Sequence, residues 1–135
     1  MLIIKDNNIC ILETVYSGSE IEKEILKNSL QSDYDKFEPE LKNGKCRLMV
    51  VQDTGFIVIK ITKKYFHLLG GVRSPQGKNA IEKTTPVILD FCKRYGLIFQ
   101  VQTDLKKVRD KYLKYAGMKY IIKDDLLYLI YNEGV

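Results

Sequence analysis

The sequence predicts a single α/β domain of the α+β kind, with a mixed β-sheet carrying helices on both faces. Three observations predict it. Hydrophobic spacing alternates between strand-like and helix-like periods, in the order β-α-βββ-α-β-α-ββ. The three central strands are joined by connections short enough to require antiparallel pairing, whereas the strand–helix–strand unit after them requires a right-handed parallel crossover. The 135 residues suit one domain over 1–135, and no repeat or linker divides them.

The elements follow in order. Ile9 to Val15 (ICILETV) is apolar and β-branched, so it reads as a strand. Ser17-Gly18 breaks it. Ser19 and Glu22 have the spacing of a capping box, and Ile21, Ile25 and Leu26 form an apolar stripe, so a helix is expected from about Glu20 to Leu30. Gln31 to Lys45 is polar, with Pro39 and the turn signal Asn43-Gly44. It reads as a surface loop, with a substrate-side lid or short helix as the sharper alternative because it carries Tyr34, Phe37 and Leu41.

Three strands are expected next. Cys46 to Gln52 leads through Asp53-Thr54-Gly55 to Phe56–Thr62, where Phe56, Val58 and Lys60 alternate with Ile57, Ile59 and Ile61. Lys63-Lys64 turns the chain into Tyr65–Val72. After a loop, apolar residues from Ala80 to Tyr95 recur at helical spacing, and Gly96 is a natural stop. Pro86 removes a backbone donor there. One bent helix from about Lys78 is favoured over a start at Thr85. Leu97–Gln102 is a strand, Asp104 caps a helix that ends at Gly117, and Met118–Ile122 with Leu126–Tyr131 form a closing hairpin.

Composition excludes several classes. Hydrophobic residues make up 45% and charged residues 29% of the chain, as in soluble globular proteins. No apolar run is long enough to span a membrane, and MLIIKDNNICIL lacks the pattern of a signal peptide, so no membrane association and a cytoplasmic location are expected. Cys10, Cys46 and Cys92 form no CxxC pair. With a single histidine, His67, no metal site is expected. Cys10 and Cys92 read as small core residues. The net charge of +5 attracts phosphates, but lysines are spread along the chain and the tyrosines follow strand or helix periods. A basic nucleic-acid-binding module is therefore the third-ranked function.

The most informative segment is HLLGGVRSPQGKNAIEK. An apolar strand runs into a basic loop and then a helix, which gathers unpaired backbone amides and the positive end of a helix at one point. Such a point can hold phosphate. Gly77 permits close backbone approach, and Arg73 and Lys78 add charge; the plainer alternative is a turn with two solvated cations.

This segment, the element order and the late segment YLKYAGMKYI resemble the GNAT acyltransferase superfamily, over about Cys46 to Tyr131. The sequence is similar to degenerate members of the bacteriophage type. The family's loop reads Q/R-x-x-G-x-G/A, and aligning Gly77 with its first glycine places Ser74 and Asn79 at the other key positions. The family's late motif N-x-x-A-x-x-x-Y-x-x-x-G-F places Lys106, Arg109 and Leu113 at the asparagine, alanine and tyrosine when Gly117-Met118 is the final pair. That tyrosine serves the family as a general acid, and here Tyr112 is adjacent.

The resemblance implies an N-acyltransferase that uses acetyl-CoA or another acyl-CoA as co-substrate and a small-molecule or protein amine as acceptor. It implies a pantetheine arm beside Gly71 and Val72, and a pyrophosphate on the amides of Gln76, Gly77, Lys78, Asn79 and Ala80 with Arg73 nearby. His67 on the incoming strand is the first candidate base, since imidazole titrates near neutrality. Alternation leaves open whether it faces the core or a cleft. Glu13 is the second candidate, and Tyr112 the candidate acid. The departures at Asn79, Lys106, Arg109 and Leu113 keep open a catalytically silent binding or virion-associated protein of the same fold. The strand edges and closing hairpin suit a homodimer.

Overall fold

The computed structural model describes the backbone of residues 1–73, 80–102, 106–114, 119–123 and 126–130, and the side chains of 1–71, 80–101 and 110–114. Among them the strands are β1 (Ile3–Lys5), β2 (Cys10–Thr14), β3 (Arg47–Val51), β4 (Gly55–Ile61), β5 (Tyr65–Arg73), β6 (Ile98–Gln102), β7 (Lys119–Lys123) and β8 (Leu126–Ile130). The helices are α1 (Glu20–Leu30), α2 (Tyr34–Lys42), α3 (Ala80–Tyr95) and α4 (Lys106–Leu113).

Local chemistry starts α1. Ser19 Oγ accepts from the Glu22 amide, and the Glu22 carboxylate accepts from the Ser19 amide, which satisfies two orphan donors. Ser17 also donates its hydroxyl to Glu22. Leu26 and Leu30 then bury one face against the sheet.

Two elements go beyond the sequence expectation. β1 pairs with β2 through a turn in which Asp6 Oδ1 accepts from the amides of Asn8 and Ile9 at 2.7 and 2.9 Å. Three residues are too few for alternation to reveal a strand. The expected polar loop at 31–45 contains a 3-10 turn (Gln31–Asp33) and α2, matching the short-helix alternative. Phe37 and Leu41, one turn apart, are buried beneath α2, and each stabilises it by about 1.5–3 kcal/mol. Pro39 obscures this helix in sequence.

The strands form one mixed sheet in the order β1-β2-β3-β4-β5-β6-β8-β7. Among the described residues, only β5 and β6 pair in parallel, because α3 carries the chain back across the sheet between them. α3 runs unbroken through Pro86, as favoured over a start at Thr85, and the Thr84 hydroxyl donates to the Ala80 carbonyl at 2.7 Å. Lys78, Asp104 and Gly117 lie outside the described residues.

A core lies on each face. Val87, Ile88, Leu89 and Cys92 of α3 and Tyr112 of α4 pack on Ile11, Met49, Ile59, Phe66 and Phe99. On the other face, Leu26, Leu30, Phe37 and Leu41 pack on Leu48 and Val58. The alternation in β4 divides accordingly, with Val58 on one side and Ile59 on the other. Cys92 is core as expected; Cys10 is only half-buried because it lies on the opposite side of β2 from Ile11, and Cys46 is buried instead.

Two irregularities in β5 position the site. Val58 pairs with Gly70 and Ile59 with Leu68, so Leu69 is an extra residue, a bulge. The parallel ladder with β6 ends at Leu68–Val101, whereas β5 continues to Arg73 beside β4. The two central strands therefore part just after Leu68, one residue beyond His67.

Candidate functional site

Register brings three polar residues into one row. Lys60 of β4 lies opposite His67 of β5, and His67 lies opposite Gln100 of β6. Residues directly opposite on adjacent strands share a face of the sheet. α2 covers this row. Its Glu40 accepts from Lys60 Nζ at 2.9 Å through Oε1 and from the Cys46 thiol at 3.4 Å through Oε2. A cleft of about 210 Å³ opens here, lined by Lys36, Phe37, Lys60, His67, Leu68, Leu69 and Gln100. It therefore opens where the bulge and the strand separation fall.

The electrostatics of the row are consistent. Burial holds the His67 imidazole below its ordinary value near 6.5, and the Lys60 charge acts in the same direction. His67 is thus neutral at pH 7 and able to accept a proton. Its ring lies 5.5 Å from that of Tyr65. The Lys60 hydrogen bond holds the Glu40 carboxyl below its ordinary range, and Glu40 in turn raises Lys60. Burial, with the Glu40 hydrogen bond, pushes the Cys46 thiol up to about 12, so it is not a nucleophile at neutral pH.

The other expected residues lie apart from this row. Glu13 on β2 accepts from Arg47 at 2.7 Å and from the Leu2 amide at 2.8 Å. Burial opposes its charge, but those two partners outweigh burial and hold the carboxyl below its ordinary value. Glu13 therefore ties the N-terminal segment to β3. Tyr112 is 5% exposed, edge-on to Phe99 at a centroid distance of 6.0 Å, and burial raises its phenol well above the ordinary value.

The Gly70-Gly71 pair has a steric basis. A Cβ on Gly71 would stand 2.9 Å from the Phe56 carbonyl oxygen, and one on Gly70 would stand 2.9 Å from Leu30 Cδ2. The glycines let β4 and α1 approach β5 closely. Val72 and Arg73 complete β5, and Ala80 opens α3. Ser74, Gln76, Gly77, Lys78 and Asn79 lie outside the described residues, and so do the side chains of Val72, Arg73, Lys106 and Arg109.

Sequence reasoning missed Lys60, Glu40 and Gln100. Alternation had put Lys60 on the Val58 side of β4, but only register sets it beside His67. Among the described residues, no group of three His, Cys, Asp or Glu side chains could hold a metal ion, and no helix is long and apolar enough to cross a membrane.

No protein-family model matches the chain, and no curated protein sequence matches it. Solved structures do. The N-acetyltransferase PseH of Campylobacter jejuni is 17% identical over 91% of this chain and 98% of its own, with a TM-score of 0.56. The same enzyme in complex with acetyl coenzyme A is 18% identical over 88% and 96%, with a TM-score of 0.52. A candidate acetyltransferase of Sphaerobacter thermophilus is 9% identical over 96% and 98%, with a TM-score of 0.59. A candidate acetyltransferase of the GNAT family from Desulfovibrio desulfuricans is 8% identical over 91% and 96%, with a TM-score of 0.51. The chain has the GNAT acetyltransferase fold.

Proposed function

We propose that this protein is an acyl-CoA-dependent N-acyltransferase of the cytoplasm that passes an acyl group directly to an amine. The observation that carries this reading is the parting of β5 from β6 after Leu68–Val101, which leaves the Leu69–Arg73 backbone beyond the parallel ladder and next to a cleft containing His67. Backbone groups released from a ladder need partners, and the amide groups of a pantetheine arm supply them.

Three features support the fit of a CoA thioester. The β5 edge offers donors and acceptors, Gly71 is exposed and carries no side chain to block approach, and the positive end of α3 begins at Ala80. Gln76 to Ala80 would meet the pyrophosphate, with Arg73 and Lys78 adding charge. Bound there, the thioester supplies an activated acyl carbon.

His67 does the proton chemistry. An ammonium cannot attack, so the acceptor must lose a proton. The neutral imidazole takes it, directly or through one water. As the C–N bond forms and the C–S bond breaks, the electrons of the latter depart with sulfur; the thiolate takes up the second proton, which the nitrogen sheds on becoming an amide, and the imidazolium returns its proton to solvent. Glu13 and Tyr112, held in an ion pair and in the core, act through structure.

A second reading keeps the fold without the reaction. Leu113 stands where the family carries its tyrosine, and Tyr112 beside it is buried against Phe99. One experiment separates the two. Thermal unfolding is followed with and without millimolar acetyl-CoA or CoA. A ligand at about 100 times its Kd adds about 2.7 kcal/mol to the folded state, equivalent to about 10 °C for a domain of this size. A rise of several degrees supports the acyltransferase reading. No rise with either ligand refutes it and leaves the silent one.

A further inference from the structure

The cleft beside His67 has a charge pattern that bears on which amines it accepts. Among the described residues its lining includes Lys36 and Lys60 and no carboxylate. Lys60 is paired with Glu40 at 2.9 Å, behind it on α2. Lys36 is exposed, lies over the Phe37 ring at 5.1 Å, and has no carboxylate within ion-pair distance among the described residues. The cleft therefore carries about one uncompensated positive charge at its α2 wall. Its apolar side consists of Phe37 and Leu69.

This field discriminates between amines. A simple alkyl ammonium, a polyamine or a lysine side chain brings a cation to a cationic cleft, which is unfavourable in a partly desolvated space. An amine that also bears an anion loses that penalty and gains a charge-assisted contact. The volume, about 210 Å³, is below the range of about 300–1,000 Å³ usual for drug-sized ligands. A short spacing between anion and nitrogen suits a cleft of this size.

We infer that the acceptor is a short amine carrying a carboxylate or phosphate group, with the anion held at Lys36 and the nitrogen directed toward His67. The inference rests on the acyl-transfer reading of the same site, and it predicts that simple cationic amines are poor acceptors.

The chain has one histidine, so the His67 imidazole gives a single, assignable proton NMR signal set. The protein is titrated with phosphoethanolamine, with β-alanine and with ethanolamine at fixed pH and ionic strength. Saturable movement of the His67 signals is expected with one or both anionic amines, at least tenfold tighter than with ethanolamine, and Lys36→Glu should weaken it about tenfold. The better of the two anionic amines identifies phosphate or carboxylate. Equal response to ethanolamine, no response to either anionic amine, or unchanged binding in Lys36→Glu would overturn the inference. Acetyl-CoA stabilisation is measured on the same sample. Stabilisation without amine discrimination overturns the acceptor assignment alone, whereas its absence overturns the acyl-transfer reading on which the assignment stands.

Discussion

Replacing Gly71 by alanine tests the close packing of β5 at the point where the proposed co-substrate lies. The added Cβ would sit 2.9 Å from the Phe56 carbonyl oxygen and 3.1 Å from Ile57 Cγ2. The oxygen belongs to the backbone of β4, which is paired with β5 on one side and β3 on the other, so it cannot yield alone. Forcing a methyl group into such a contact costs about 1–3 kcal/mol, or about 4–12 °C in Tm for a chain of this length. Gly70→Ala provides the control. Its Cβ would also meet an atom at 2.9 Å, but that atom is Leu30 Cδ2, the far end of a rotatable side chain. Neither glycine occupies the left-handed region, so both variants share the same small gain from a stiffer unfolded chain. Gly71→Ala should therefore lose clearly more stability than Gly70→Ala in urea and thermal unfolding. Acetyl-CoA affinity should fall with it, because the β5 backbone must shift. If Gly71→Ala is as stable as Gly70→Ala, the rigid-backbone argument is wrong.

Two further outcomes follow from charges and thiols. The folded-state pKa of Glu13 is depressed below 4.5, so its contribution is present above that value and is lost as pH falls through the folded value. Glu13→Gln should cost about 1 kcal/mol at pH 7 and flatten the acid limb of a stability-versus-pH curve; an unchanged acid limb would remove the ion pair from that role. Cys46 and Cys92 are buried with thiols pushed up to about 12, whereas Cys10 is half-buried. Iodoacetamide at pH 8 should label Cys10 first, read by peptide mass spectrometry, and early labelling of Cys46 would contradict its burial beneath α2.

Sequence alone determined what depends on near neighbours. The Ser19–Glu22 box spans one turn, so α1 was legible from Glu20 to Leu30. Alternation in β4 correctly divided its residues between the two faces, and Gly96, with φ of 68°, marked the end of α3. Apart from β1 and α2, the element order followed from hydrophobic spacing, and the parallel crossover from connection lengths. His67 was legible as a candidate because it is the one histidine, on a strand leading to a basic loop. Its surroundings were not. Lys60 and Gln100 reach it only through pairing of β4, β5 and β6, and Glu40 reaches Lys60 from a helix that Pro39 concealed. Glu13 read as the second candidate base because its partner Arg47 is 34 residues away. Register, bulge and ion pairing are long-range facts, set when hydrophobic faces choose their partners. The tertiary structure therefore decided whether each titratable group was a candidate for chemistry or a structural tie.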